Sequence, residues 1–440
     1  MAVEMKTLGA IALVAALLTP VIYSIIANPA DTDDLIFYFG KDETGVMEDL
    51  INQFEKNNGT DVKRHVMPPN SDVQLEMVKK ALMLKTHIDV ARVEYTWIHD
   101  LASAGLLEPL DDYIKNSSIK KGDFINAAMD GCSYKGELYA IPLFIDVGLL
   151  YYNKGMLDGH FERDYDPLVE LETWKNVTKI AEAILGNDAV RSKYKNLKYG
   201  LVYQGAQYEG LICSFMEFVW SHGGEVIQNG DVVIDSPEAR RALGVMIDMI
   251  ENGIVPKNVV TKKEEDCYQD FTSNRTIFMR NWPYAWENLR RDFGDKLDFG
   301  VIPMPRGPDG NHSSALGGWA LVIPSHSNRK GDASKLIEHF ADETSQKLLY
   351  TKGGYLPALD VAYGKLEGDL SGVQNVRIKE KLDLLKNLTE VIEYVKPRPM
   401  VAEYARVSVF IRIRVHEALL GQRSPGKALA QAQKDIDRVL

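Results

Sequence analysis

The sequence predicts an α/β chain folded as two lobes, each a sheet flanked by helices, with a cleft where the backbone crosses between them. Three observations predict it. A chain of 440 residues is too long for one hydrophobic core, so two lobes of roughly 150–200 residues each are expected. From Leu35 to Ala104, short β-prone runs alternate with helical patterns, which implies parallel strands joined by right-handed crossovers. Finally, Leu138–Ile145 and Val147–Tyr152 are two apolar runs separated by one acid, Asp146. Such runs suit strands buried on both faces.

In order, Leu35–Gly40 is a first strand ending in a glycine turn. A helix follows with Met47, Leu50, Ile51 and Phe54 on one face, closed near Asn57-Asn58-Gly59. Val62–Met67 is a second strand and Val73–Leu84 a second helix. Asp89–Glu94 is a third strand, and Trp97–Ala104 a third helix. Leu106–Ile114 is an extended piece running into a helix. Trp174–Leu185 is helical, Gly200–Gln204 a strand, and Tyr208–His222 an apolar helix stopped by Gly223-Gly224. Val232–Ile234 is a strand, with Ser236-Pro237-Glu238 capping a helix to Glu251. Cys267–Ser273 is a helix, and Thr276–Met279 a strand delivering Arg280-Asn281-Trp282-Pro283-Tyr284. Leu297–Pro303 and Gly317–Pro324 are expected to return to the first lobe as strands. Helices from Ala333, Ser345 and Ile378 follow. Arg406–Val415 fits either period and is read as helix.

The crossing organises the rest. Pro142 cannot donate to a central ladder, so the backbone is expected to leave one sheet near it and join another after Gly148. Asp146 lies between. An unpartnered buried carboxylate costs several kcal/mol or is protonated, so this acid either faces a cleft or caps a turn.

Composition narrows the function. The net charge of −11 comes without a basic block, which argues against nucleic acid as a partner. Cys132, Cys213 and Cys267 are odd in number and lack C-x-x-C spacing, so neither a disulfide framework nor a zinc site is expected. Nine scattered histidines, none paired at i, i+4, imply no metal centre, and no phosphate-binding loop or G-x-S-x-G elbow implies a cofactor or a serine nucleophile. Thr7–Ala27 has no charge in 21 residues, long enough to span a bilayer, and its cleavage signal is poorly formed. Residues 1–30 are therefore expected to hold the protein at the outer face of the membrane, or to be removed if cleaved. Six N-x-[ST] sequons, at Asn58, Asn116, Asn176, Asn274, Asn311 and Asn387, are compatible with that side.

The distinctive chemistry is aromatic. Trp282-Pro283-Tyr284 follows a strand directly, and the rigid Pro fixes two large rings relative to each other. Gly317-Gly318-Trp319 sets an indole beside two residues without side chains, where a ligand can reach the backbone. Phe144, Tyr151 and Tyr152 flank the crossing, and Trp97 opens a helix. Flat sugar faces suit such rings, and sugar hydroxyls suit Asp, Glu, Gln and Arg. A lone Trp is more often core packing, but several at strand ends shift the balance. Asp146 with Glu43 or Glu94 could alternatively form a glycosidase pair.

The residues resemble the extracellular solute-binding proteins of ABC sugar importers, particularly trehalose/maltose-binding proteins. The resemblance runs from about Ile36 to the C-terminal helix. It rests on Gly105–Tyr113, Leu138–Pro142, Ile145–Tyr152, Gln207–Cys213, Arg280–Trp286, Leu316–Trp319, and Pro397-Arg398-Pro399 with Tyr404. It implies a periplasmic-binding-protein-like fold (type II-like) that binds and does not turn over. A disaccharide such as trehalose or maltose would be delivered to a membrane permease driven by a separate ATPase. In that reading Asp146 accepts hydroxyls, Trp282, Tyr284 and Trp319 stack on the rings, Gly317 and Gly318 offer backbone contacts, and Arg398 reaches in from the second lobe. Glu94 stands where relatives have Asp, and Phe144 where they have Tyr. Glu43 is a further candidate, and Gln74 is the candidate replacement for a first-lobe Arg of relatives. The expected division is 1–30 anchor, 31–144 plus 300–355 lobe one, and 145–299 plus 356–440 lobe two. Crossovers are expected near 142–148 and 300–315, in a monomer. An oligosaccharide, peptide or polyamine remains an alternative ligand.

Overall fold

The computed structural model describes residues 34–42, 44–68, 70–308, 310–371 and 391–440. The N-terminal segment 1–30, Glu43 and the helix expected from Ile378 lie outside the described residues.

Leu35–Gly40 (β1) is apolar along its whole length and lies inside the first sheet, one strand in from its edge. Val62–Met67 (β2) and Val90–Glu94 (β3) pair with it in parallel on either side. The expected crossover helices are Val46–Asn58 and Ser71–Met83, the first burying Met47, Leu50, Ile51 and Phe54 as its 3.6-residue spacing requires.

Ile141–Val147 (β4) and Leu149–Asn153 (β5) are the crossing. β4 belongs to the first sheet and β5 to a second one, so the chain changes sheets at Gly148. Pro142 is accommodated by a bulge: Trp319 faces Phe144 and Ala320 faces Pro142, which leaves Leu143 unmatched. Gly148 has to be glycine, because an added Cβ would stand 1.9 Å from Glu217 Oε1.

Tyr199–Val202 (β6), Thr276–Asn281 (β7), Phe299–Pro303 (β8), Ser314–Val322 (β9), Leu356–Pro357 (β10) and Val395–Lys396 (β11) complete the two sheets. The first runs β10-β4-β9-β3-β1-β2, with β11 paired to β9. The second runs β8-β5-β7-β6. One core cluster packs around the first sheet and continues onto one face of the second through Tyr151, Met279 and Val301. The other covers the opposite face of the second sheet through Leu150, Phe278 and Ile302, under the helices Glu209–Ser221, Pro237–Glu251 and Tyr404–Leu419. That last helix buries Tyr404, Val407, Ile411, Val415 and Ala418, the helical face and not the alternating one.

Sheet membership corrects three expectations about the chain's course. β4 remains in the first sheet to Val147, beyond the expected boundary at 144/145. β8 does not return to the first lobe but pairs antiparallel with β5 from Phe299↔Asn153 to Pro303↔Leu149; only β9 returns. β10 adds to the free edge of β4, so Leu356, Ala358, Ala362 and Tyr363 join the first core, not the second lobe. In each case strand pairing and burial carry the chain past the point that length alone suggested.

Candidate functional site

A cleft of about 790 Å³ opens where the two sheets meet. That is the size of a small-molecule site. Its walls hold Glu94, Asp146, Trp282, Tyr284, Gly317, Gly318, Trp319 and Arg398 together, eight of the ten candidates. Glu43 lies outside the described residues. Phe144 is not in the cleft: it is 1% exposed, two residues back from Asp146, and its ring stacks on Tyr355 at 4.4 Å. The strand end is open to the cleft, whereas the position before it is roofed by the chain that forms β10.

The backbone explains how the aromatic groups converge. Gly317 pairs with Asp146 across β9 and β4, and Gly318 with Ile145. Gly318 has φ of 109°, and a Cβ there would meet Phe144 O at 2.4 Å, so no other residue fits. A Cβ on Gly317 would stand 3.1 Å from Trp282 Cζ3 and 3.2 Å from Asp146 Cβ. The missing side chain thus lets the Trp282 ring approach Asp146. Trp97 meets Trp319 edge-on at 5.4 Å.

Each of two indoles is backed by a buried arginine. The Arg280 guanidinium lies 3.8 Å from the Trp282 ring centre, and Arg92 lies 4.1 Å from that of Trp319. Such cation–π contacts strengthen when desolvated. Arg280 is held by Glu217 through Nη2–Oε1 at 2.6 Å and Nε–Oε2 at 3.0 Å, and donates to Gln204 Oε1 at 3.2 Å. Glu217 also accepts from Ala315 N at 3.1 Å, so this node ties helix Glu209–Ser221, β7 and β9 together. Arg92 is less well served. It reaches Gln74 Oε1 at 3.4 Å, its Nε has no partner, and burial lowers its pKa to about 10.

Asp146 is partly exposed at the cleft floor, yet its Oδ1 is sealed from solvent without a hydrogen-bond partner. Desolvation raises its pKa to about 7; Arg92 and Arg280 oppose the rise and Glu94 adds to it. Glu94 caps the helix Tyr95–Ser103, accepting from Thr96 N at 3.1 Å, and pairs with Arg398. Burial raises its pKa, with Arg398 as the main opposing influence. Arg398 also donates to Glu209 Oε1 at 2.7 Å and to Leu316 O at 3.3 Å. It does not arrive from the second lobe as expected. It follows β11, which pairs with Ser314-Ala315 of β9, so it stands at the junction of the two sheets.

Three groups were missed as site residues. Tyr208 and Glu264 meet through a 2.6 Å hydrogen bond, and Glu264 Oε1 lies 3.4 Å from Trp282 Nε1. Glu209 gathers Arg398, Tyr404 and Ser408. Tyr208, Glu209 and Tyr404 fall within the stretches that carried the resemblance; Glu264 lay ahead of the helix expected at Cys267–Ser273 and had no signal, whereas in the structure that helix begins at Glu264. Gln74 is 1% exposed and bonded to Pro68 O and Arg92, so it does not stand in the cleft.

Two sheets joined by crossing strands, with a solute-sized gap between them, form a receptor of the kind that closes on a small molecule. The chain belongs to the bacterial extracellular solute-binding protein family, whose model matches residues 49–369. That is a family of binding proteins, and the glycosidase alternative falls with it. The chain is 26% identical over 393 residues to a probable ABC transporter-binding protein of Deinococcus radiodurans, covering 87% of this chain and 88% of that one. It is 23% identical to the maltodextrin-binding protein MdxE of Bacillus subtilis, over 90% and 88% of the two chains. Among solved structures, maltose-bound MalE3 of T. maritima superposes with a TM-score of 0.78 at 30% identity, covering 92% of this chain and 100% of that one. Among the described residues no helix is long and apolar enough to cross a membrane, and no cluster could hold a metal ion.

Proposed function

We propose that this chain is the substrate-binding component of an ABC sugar importer. It takes a disaccharide such as trehalose or maltose between its lobes and hands it to a membrane permease driven by a separate ATPase. The observation that carries this reading is the pair of partly exposed, arginine-backed indoles, Trp282 and Trp319, on either side of Gly317 and Asp146 in one cleft. Maltose and maltodextrin in the names of similar proteins support a sugar of this class.

In this reading Trp282, Tyr284 and Trp319 stack on the sugar faces and Asp146 accepts hydroxyls. The backbone at Gly317 and Gly318 contributes contacts, and Glu94 with Arg398 completes one wall. Glu43 remains a proposal from the sequence alone. In this reading the protein acts as a monomer. The lobes act as hinged halves, and the sugar favours closure because only the closed form touches it from both sides. The uncharged stretch Thr7–Ala27 supports an anchor at the outer face of the membrane.

A thermal-shift panel of mono-, di- and oligosaccharides, peptides and polyamines tests the reading. A disaccharide is expected to raise the melting temperature most, with its affinity confirmed by calorimetry. A shift produced only by a ligand that is not a sugar would overturn it.

A further inference from the structure

The plane of the Trp282 indole is set by its surroundings. Its backbone is fixed on both sides: the N–H donates to Asn281 Oδ1 at 2.9 Å, and the carbonyl accepts from Tyr151 Oη at 2.7 Å. What remains free is rotation of the side chain, and three contacts bear on that. Arg280 covers one face at 3.8 Å. The six-membered edge lies against Gly317, where a Cβ would stand 3.1 Å from Cζ3 and 3.3 Å from Cη2. The Nε1 edge, at the other end of the ring, donates to Glu264 Oε1 at 3.4 Å. A face and two opposite edges define one plane, and the second face is left to the cleft, which Trp282 lines half-buried.

The Glu264 contact is long for a hydrogen bond, so its hold on the ring depends on the carboxylate staying in place. Two features keep it there. Lys263 N donates to Asp266 Oδ2 at 2.9 Å, closing the first turn of the helix Glu264–Thr272. Tyr208, at the start of the helix Glu209–Ser221, donates to Glu264 Oε2 at 2.6 Å. Gly210 makes room for that phenol: a Cβ there would stand 2.2 Å from Tyr208 Oη and 2.4 Å from its Cζ.

Resting on the saccharide reading above, we propose that Glu264 is a positioning residue for sugar capture, which with Tyr208 locks the Trp282 ring in the plane a sugar stacks on. Its effect on affinity passes through the ring. An indole free at its Nε1 edge has other rotamers open to it and must be ordered when the sugar arrives, which costs binding free energy. A ring already held avoids that cost.

Trehalose and maltose are titrated calorimetrically into the full chain and its variants, with melting curves confirming folding. Glu264→Ala should weaken the better-bound sugar about fivefold, and Tyr208→Phe about threefold. Glu264→Gln, which keeps an acceptor for the indole and a donor for the phenol, should recover most of the loss. In a Trp282→Ala protein, adding Glu264→Ala should change affinity by less than about twofold, because the group it acts on is gone. Tyr208→Phe goes through the same cycle where Glu264→Ala does not fold. A further measurement needs no sugar. The Trp282 indole N–H, identified in an NMR spectrum of the full chain by its loss in Trp282→Phe, should exchange with solvent faster in Glu264→Ala than in the parent. A Glu264→Ala loss of the same size with and without Trp282, no loss at all, or an unchanged exchange rate would overturn the proposal while leaving sugar capture intact. If the parent binds neither sugar, the disaccharide reading fails, and this inference with it.

Discussion

Asp146→Asn separates a cleft acid from a structural one. Burial raises the Asp146 pKa from the ordinary aspartate value of 3.8 to about 7. An acid with a raised pKa in the folded state gives up its proton more easily when unfolded. Stability is therefore unaffected below about pH 4, falls as pH rises between the two values, and stays at its reduced level above about pH 7. Three units at about 1.4 kcal/mol each make the cost on the order of 4 kcal/mol at pH about 8. Asparagine has no proton to lose. The variant should match the parent near pH 4 and exceed its stability near pH 8 by up to that amount, the pH dependence of all other groups cancelling in the difference. Urea denaturation across that pH range, with both proteins side by side, measures it. Over the same range the parent's affinity for its sugar should rise through about pH 7, as the carboxylate becomes the stronger acceptor. The variant should bind more weakly and without that rise. A variant less stable than the parent at pH 8 would refute the reasoning, because it would mean that Asp146 caps or pairs with something in the folded state.

The other expectations are more local. Trp282→Ala and Trp319→Ala should each weaken sugar binding by about 2 kcal/mol, roughly thirtyfold in Kd, with the far-ultraviolet spectrum unchanged; calorimetry reads the loss, and no change in affinity would remove that ring from the site. Gly318→Ala forces a Cβ to 2.4 Å from Phe144 O at φ 109° and should cost about 2–4 kcal/mol in equilibrium unfolding. Arg280→Met leaves Glu217 buried and unpaired, and should cost about 3–5 kcal/mol by urea denaturation; adding Glu217→Leu should restore part of it. Cys132, Cys213 and Cys267 are all free and buried, with burial raising each thiol pKa, so a thiol reagent should label none of them natively and all three in guanidinium.

How far the molecule can be read from its sequence depends on the range of the interaction concerned. The crossing was legible in part because some of its causes are local, an acid inside an apolar run and a glycine just after it; Pro142, expected to mark the exit, instead stays in the first sheet opposite Ala320. The structure changes sheets at Gly148, but what requires a glycine there is Glu217, a residue 69 positions further on (217 − 148). The aromatic groups were legible for the same kind of reason, each being a short motif at a strand end. The destination of β8 was not. Phe299–Pro303 carries no mark that distinguishes a strand pairing with β5 from one returning to β3, because that choice is made by the partner's free edge.

The same limit explains the arginines. Arg92 lies in the run Val90–Glu94, where every residue is buried, and a charged side chain in such a strand reads as an interruption. Its position makes sense only beside Trp319, which arrives from β9, antiparallel to β3, with Trp319 facing Glu94 and Leu321 facing Arg92. Arg280 repeats the arrangement in the second sheet, two residues before the indole it backs. A binding ring must present one face and keep still, and an unsupported indole at a strand end does neither. Each guanidinium fills the space behind its ring while lowering the cost of a negative charge at Asp146, which both help to stabilise. The two platforms and the acid between them are therefore one electrostatic unit. Its visible half, the rings and the aspartate, could be found from motifs, whereas the half that supports them is assembled only by the fold.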